Sequence, residues 1–435
     1  MKKNIGIRYE DKYVMERRVA LPPKHIEKLI KDYKLNFFVE SSDKRVFKDQ
    51  EYTNAGATVT DNLNNCPVIF GVKEMPVSYF EPEKTYIFFS HTIKGQEYNM
   101  PMLKKMMELK CNLIDYERIV DEKERRLIFF GRYAGLAGMI NSLWCLGIRL
   151  KYFGYNTPFL KLKQSHLYDS LEQAKKNISE VSKEIKEKGI PKELLPLVIG
   201  FAGYGNVSNG AQEIVDLLPV KEISPEELLK LKDKSNLSED ILYKVVFKEE
   251  HLFEPIDSNK KFELQDYFTN PKYYKSKFEK YIPYLTILMN CIYWTKECPK
   301  IITKDYLEKL YSDGNPKLTV IGDITCDPNG SIECTYKGTK IEDPVFVYNP
   351  MTREHKMGYK GNGLLIMAVD ILPSELPRES SVGFGDALIN YIEPIASADY
   401  NLSFEKLILP KPIKKALILH KGNLTPDYKY IAEFL

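Results

Sequence analysis

A chain of 435 residues is too long for one hydrophobic core and calls for two domains or three. Lysine plus arginine (63) nearly balance aspartate plus glutamate (60), leaving a net charge of +3, without the concentrated basic excess of a nucleic-acid binder. Seven cysteines without a CxxC pair and six scattered histidines argue against a metal site or a disulfide framework and suit a reducing cytoplasm.

The chain opens on a strand-like run, NIGIRYE (4–10), with no signal peptide ahead of it. No apolar run reaches membrane-spanning length, so a soluble cytoplasmic protein is expected. PPKHIEKLIKDY (22–33) reads as a helix with proline in its first turn. NFFVE (36–40), PVIFGVK (67–73) and TYIFFSH (85–91) are continuous apolar runs, the pattern of strands buried on both faces in a parallel sheet. CNLIDYERIV (111–120) and RRLIFFG (125–131) close this unit. The stretch 134–154 is helical and rich in small residues; Gly135, Ala137 and Gly138 would let another backbone approach it. A second helix, 170–188, carries Leu171, Ala174, Ile178, Val181 and Ile185 at steps of three and four, with Ser170 to start it and Gly189 and Pro191 to stop it.

PLVIGFAG (196–203), YGNVSNGAQEIVDLLP (204–219) and VKEIS (220–224) then give strand, glycine turn, helix and strand. The region 231–280 is polar and tyrosine-rich and reads as a long excursion near a cleft. YIPYLTILMNCIYW (281–294) is an apolar helix or strand pair, and KLTVIGDITCD (317–327) a late strand with an acidic end. From about 335 the turns and the helix FGDALINYIEPIA (384–396) suggest a return to the first unit. The expected fold is α/β: two Rossmann-like parallel-sheet domains with the active site in the cleft between them. Residues 1–133 and 335–435 would form a discontinuous substrate domain and 134–334 a dinucleotide-binding one.

In the glycine turn, Gly203 would make the tight bend and Gly205 would let a pyrophosphate reach backbone. Asn206 and Val207 open the helix whose N-terminal N–H groups and dipole suit phosphate. Ser208 stands where a third glycine is usual, with Gly210 two residues on. About twenty residues beyond Gly203, where an acidic side chain would meet an adenosine ribose, the chain offers Glu222 and Ser224. Neither choice separates NAD from NADP.

Two buried runs end on ionisable residues: PVIFGVK on Lys73, with Glu74 next, and TYIFFSH on His91. Ligands lie at that edge of open parallel sheets. A desolvated lysine drops toward neutrality and histidine starts there, so the pair can handle protons, although a lone histidine in such a place more often serves packing. Arg18, in the loop after the first strand, could hold a substrate carboxylate or merely pair with Glu16 at the surface. Arg126 and Glu117 are ordinary surface charges when read alone.

The motifs ERRVALPP, GVKE and FFSHTIKGQ resemble the alanine dehydrogenase/transhydrogenase superfamily, and LIDYE, FGRYAGLAGMI, GNVSNGAQ, NCIYW, GDITCDPNGSIE and LPSELP resemble one group of it in particular. The closer likeness is to the lysine–ketoglutarate reductase half of aminoadipic semialdehyde synthase and to lysine-forming saccharopine dehydrogenase. It runs from about residue 4 nearly to the C-terminus. This resemblance implies reversible condensation of L-lysine with 2-oxoglutarate to saccharopine, with NADPH favoured and NADH open as cofactor. It implies Lys73 and His91 as acid/base groups and Arg18 and Arg126 as carboxylate clamps. Glu74 and Glu117 would tune the pair or touch substrate lysine, Phe130 would line the substrate site, and Asp323 would approach the cofactor. Other readings are a dehydrogenase working in the lysine-forming direction or on a simpler 2-oxo acid, and a nucleotide sensor without catalysis. No nucleic-acid or membrane partner is expected, and a homo-oligomer is left open.

Overall fold

The computed structural model describes residues 3–231, 238–314 and 316–435. The first strands are β1 (Asn4–Ile7), β2 (Asn36–Glu40), β3 (Thr58–Thr60), β4 (Val68–Phe70), β5 (Thr85–Phe88) and β6 (Asn112–Asp115). There follow β7 (Val198–Ala202), β8 (Val220–Glu222), β9 (Leu242–Phe247), β10 (Phe253–Pro255), β11 (Tyr274–Ser276) and β12 (Ile287–Asn290). The remainder are β13 (Val320–Asp323), β14 (Val345–Asn349), β15 (Glu354–Met357), β16 (Leu364–Met367), β17 (Leu417–His420) and β18 (Asn423–Leu424).

The chain divides into two compact units, Met1–Phe130 with Pro377–Leu435, and Gly131–Leu376. The first holds a sheet of order β18-β17-β6-β5-β4-β1-β2-β3. From β6 to β3 neighbours run parallel; β17 returns antiparallel to β6 and turns back into β18. Every residue of β4, β5 and β6 is buried, as their continuous apolar runs require. The helix Pro23–Tyr33 begins with proline in its first turn and ends on Lys34 at φ +57°. It is tied to the helix Pro377–Ser397 by His25 Nε2 and Asp386 Oδ1, 2.8 Å apart.

The second unit holds a sheet of order β15-β14-β16-β13-β12-β7-β9-β8, parallel from β16 to β8 and antiparallel at β14 and β15. The hairpin β10–β11 stands apart from it. The helix Gly131–Tyr152 is apolar nearly all round, the mark of a fully buried helix. Its small residues serve close contact: a Cβ built on Gly135 would lie 1.9 Å from the Val207 carbonyl oxygen, and one on Gly210 2.1 Å from that of Arg132. The closest helix packing therefore runs through Gly135 and Gly210, the packing role that a third glycine in the turn would otherwise serve.

Three expectations need correction. The return to the first unit comes at Pro377 and not near 335, because β16 pairs with β13 and β14 with β16, which commits 345–367 to the second sheet. The region 231–280 contains a central strand, β9, seated beside β7; residues 232–237 lie outside the described residues. The short LYKVVF run carries Lys244 within it, and that charge masked the strand in the sequence. Finally, 281–294 holds a single strand, β12, after a short turn of helix.

Candidate active site

In the first unit β1, β4, β5 and β6 are neighbours, and each delivers charged side chains at or just past its carboxyl end. Lys73 and Glu74 follow β4, His91 follows β5, Asp115 ends β6, and Glu10, Lys12, Glu16 and Arg18 come from the loop after β1. His91 Nδ1 lies 2.6 Å from Glu74 Oε1, and Lys12 Nζ reaches the same oxygen at 2.6 Å. Burial alone would raise the Glu74 carboxyl. The hydrogen bond and charge of His91, with the Lys12 ammonium, outweigh burial and hold it down at about 2. A carboxylate at that value only accepts, so His91 donates from Nδ1, which leaves Nε2 as the ring's acceptor. The Glu74 Oε2 atom is buried without a hydrogen-bond partner.

Glu10 secures the lysine loop. Its Oε1 accepts from the Val72 N–H at 2.7 Å and its Oε2 from the Lys73 N–H at 2.8 Å. Burial, then the charge of Glu16, pushes its carboxyl up to about 7. Burial also acts to raise Glu16, but the Arg18 guanidinium and the Lys73 charge bring it below the usual carboxylate range. Lys73 therefore faces a buried anion. Asp115, fully buried, accepts from the Ser90 N–H at 3.0 Å, the Ser90 hydroxyl and the Glu117 N–H at 2.7 Å, and burial pushes it up to about 6.

Arg18 is only 4% exposed. Its Nε and Nη2 donate to Glu16 at 2.8 and 2.6 Å, and the guanidinium lies 4.2 Å above the Phe130 ring. Phe130 in turn stacks on Phe384, with centroids 4.5 Å apart at 10°. The Arg18–Glu16 pair exists, but it is buried and not on the surface. Arg126 is half-exposed and pairs with Glu117.

In the second unit the glycine turn leaves β7 and enters the helix Asn206–Val215. Gly203 has φ +96°, and a Cβ there would crowd the Cys291 carbonyl at 3.1 Å, so the bend needs glycine twice over. At Gly205 a Cβ would meet nothing within 4 Å. Neither packing nor conformation demands glycine there, and the open space fits a phosphate group resting on backbone. No side chain caps the helix, which leaves its first N–H groups to face such a ligand. Among the described residues, no group of three or more His, Cys, Asp or Glu could hold a metal ion.

Residues 6–137 match the family described as "Alanine dehydrogenase/PNT, N-terminal domain" and residues 258–427 match "Alanine dehydrogenase/PNT, C-terminal domain". The chain belongs to the alanine dehydrogenase/PNT family. Over 98% of its length this family member is 39% identical to alpha-aminoadipic semialdehyde synthase of Arabidopsis thaliana and 35% identical to the mitochondrial one of Mus musculus. It covers 41% and 47% of those proteins, so it spans less than half of the length of the curated relatives it matches there. It is also 27% identical, over 86% of its length, to the saccharopine dehydrogenase (NAD(+), L-lysine-forming) of Yarrowia lipolytica, covering 88% of it. The structure of an L-alanine dehydrogenase superposes with TM-score 0.59 at 16% identity, over 99% of this chain and all of that one. A transhydrogenase from Sinorhizobium meliloti gives 0.57 at 15%, over 97% of this chain and 100% of the other. The two-domain Rossmann-like fold of this family is thereby shown.

Within this family frame the geometry gathers Lys73, Glu74, His91, Arg18 and Phe130 in the first unit, with Glu117 and Arg126 paired beside them. It moves two others. Ser224 follows β8, which is the sheet edge and pairs with β9, not β7. Its hydroxyl caps the short helix Pro225–Leu228 by accepting from the Glu227 N–H. The strand beside the glycine turn is β9, whose Phe247 carbonyl accepts from the Gly203 N–H at 2.9 Å. Glu249, two residues on, stands beside the Tyr204 hydroxyl. Asp323 does sit at the carboxyl end of β13 but is 1% exposed, accepting from Asn290 Nδ2 at 2.8 Å, Thr335 Oγ1 at 2.6 Å and the Cys326 N–H at 3.1 Å. Its carboxylate braces neighbouring loops. Sequence reading missed Glu10, Lys12, Ser90, Asn99 and Asp115; for Asp115 the signal was present, an apolar strand ending in a charge as at Lys73.

Burial pushes Asp323 up from 3.8 to about 6. Between these values the folded protein keeps a proton that the unfolded chain has lost. Its stabilising contribution is thus full below pH 3.8 and is lost as the pH rises through about 6, a change of at most about 3 kcal/mol. Glu10 and Asp115 act with the same sign, so the comparison is between variants. Asp323→Asn should flatten part of the decline in urea midpoint from about pH 4 to 6. An unaltered slope would show that this carboxyl does not hold the proton.

Proposed function

We propose that the chain is an NAD(P)-linked reductase that joins the ε-amine of L-lysine to the keto carbon of 2-oxoglutarate, reversibly forming saccharopine. One observation carries this reading: Lys73 and His91 end adjacent buried strands, each set against a buried carboxylate, in a chain 39% identical to an alpha-aminoadipic semialdehyde synthase. His91, pinned through Nδ1, accepts at Nε2 the proton that the lysine ammonium must lose before attack. Lys73, opposite Glu16, protonates the carbinolamine oxygen as water leaves and a protonated imine forms. Arg18 has spent Nε and Nη2 on Glu16 and offers Nη1 to a substrate carboxylate; Arg126 offers a second cation. Phe130 and Glu117 complete the substrate surface. Gly203, Gly205, Asn206 and Val207 would hold a nicotinamide nucleotide, which would supply the hydride for the protonated imine.

For the cofactor, the resemblance leans to NADPH, while Glu249 beside the turn weighs against a 2′-phosphate. We therefore expect NADH to serve at least as well as NADPH. Glu249→Gln should move the ratio of kcat/KM toward NADPH by about tenfold, the effect of one unfavourable charge contact of roughly 1.4 kcal/mol.

The deciding assay follows oxidation of NADH and NADPH side by side, with lysine plus 2-oxoglutarate against ammonia plus pyruvate. Lysine plus 2-oxoglutarate should be faster by orders of magnitude. Faster turnover of ammonia and pyruvate would replace this substrate assignment with simple amino-acid dehydrogenation, and cofactor binding without turnover of any pair would leave a sensor.

A further inference from the structure

We infer that Asn99 is a positioning residue for His91, holding its loop backbone and the Glu74 carboxylate in one arrangement; this rests on the acid/base reading of His91 given above. Asn99 occupies the position just before the helix Met100–Glu108, where an asparagine ordinarily accepts a hydrogen bond from the helix. Here its side chain makes no such bond. The residue is 5% exposed, and its Nδ2 donates to the Ser90 carbonyl at 2.9 Å, the His91 carbonyl at 3.3 Å and Glu74 Oε1 at 3.4 Å. All three partners can only accept, which fixes the orientation of the amide.

The loop needs such a tie. His91 has φ +48°, a left-handed conformation that few side chains larger than glycine adopt and that costs free energy unless its surroundings support it. From one side Asp115 takes the Ser90 N–H; from the other Asn99 takes the carbonyls of Ser90 and His91. The same amide reaches the oxygen that receives His91 Nδ1, so one side chain fixes both the ring's stem and the ring's partner.

Asn99→Asp separates this role from capping. Aspartate caps a helix as well as asparagine, but it has no N–H to give and turns a carboxylate toward two carbonyls and Glu74. We expect Asn99→Asp to lower kcat about 100-fold or more and Asn99→Ala about tenfold, within the range of one misplaced acid/base group. KM for both substrates and Kd for the cofactor should stay within about threefold. In a His91→Gln background neither change should lower kcat further, because no imidazole remains to be placed. Should Asn99→Asp fail to fold, Asn99→Ala carries the same comparison. Near-parental kcat in Asn99→Asp, or an undiminished loss in the His91→Gln background, overturns the inference while leaving His91 catalytic. If His91→Gln alone turns over normally, the acid/base reading falls and this inference with it.

Discussion

Replacing Lys73 with Met and His91 with Gln together should reduce turnover by about 1,000-fold or more while the affinity for the nicotinamide nucleotide stays unchanged. One general acid/base group contributes typically about 100- to 10,000-fold. The two act on successive protons of the same condensation, so the double variant should fall short of the product of the single losses. The nucleotide turn belongs to the second unit, and both substitutions lie in the first. Methionine keeps the length of the lysine stem, and glutamine keeps a hydrogen-bond donor for Glu74. Single-turnover kinetics with an independent cofactor titration checks this. Turnover within about tenfold of the parent would remove both side chains from the chemistry.

A single methyl group at Gly135 should damage the second unit more than any change on its surface. Alanine is intrinsically the better helix former by about 1 kcal/mol. Here, however, its Cβ would stand 1.9 Å from the Val207 carbonyl oxygen and 2.7 Å from the Ala211 nitrogen. Both are backbone atoms, so relief requires the helices Gly131–Tyr152 and Asn206–Val215 to part, and overpacking of roughly 1–3 kcal/mol or more wins. The melting temperature should fall by several degrees, and nucleotide Kd should rise at least about tenfold because the displaced helix carries the N–H groups proposed to face the phosphates. Gly205→Ala is the contrast: its Cβ meets no protein atom within 4 Å, so stability should hold and only nucleotide binding should suffer. Calorimetry and nucleotide titration on both variants decide the matter. Equal nucleotide affinity in Gly205→Ala and the parent would mean that no phosphate rests against that backbone.

What could be read from the sequence was what depends on local pattern. PVIFGVK and TYIFFSH showed both their burial and the edge at which they end, because a strand covered on both faces admits charge only at its end. The glycine turn was legible because strand, bend and helix adjoin in the chain. Pairing between distant strands left no such mark. Nothing local tells β8 from β9 as the neighbour of β7, so the sequence reading set Ser224 beside the glycine turn where the structure has the residues after Phe247. The unit boundary near 335 was misplaced for the same reason, since β14 and β16 declare their sheet only by hydrogen bonds to each other and to β13. Glu10 acts on backbone 62 and 63 residues along the chain and Asn99 on backbone 9 and 8 residues before it, and residue type alone gives no hint of either.

The antiparallel return of β17 onto β6 has a bearing on synthesis. A nascent chain leaving the ribosome completes β6 early, yet the strand that covers its edge emerges only after Gly131–Leu376 and the helix Pro377–Ser397 have been made. The inserted unit can therefore mature first, while the host sheet waits with an open rim that invites misassociation. Translation arrested before Leu417 would strand the molecule in that half-built state.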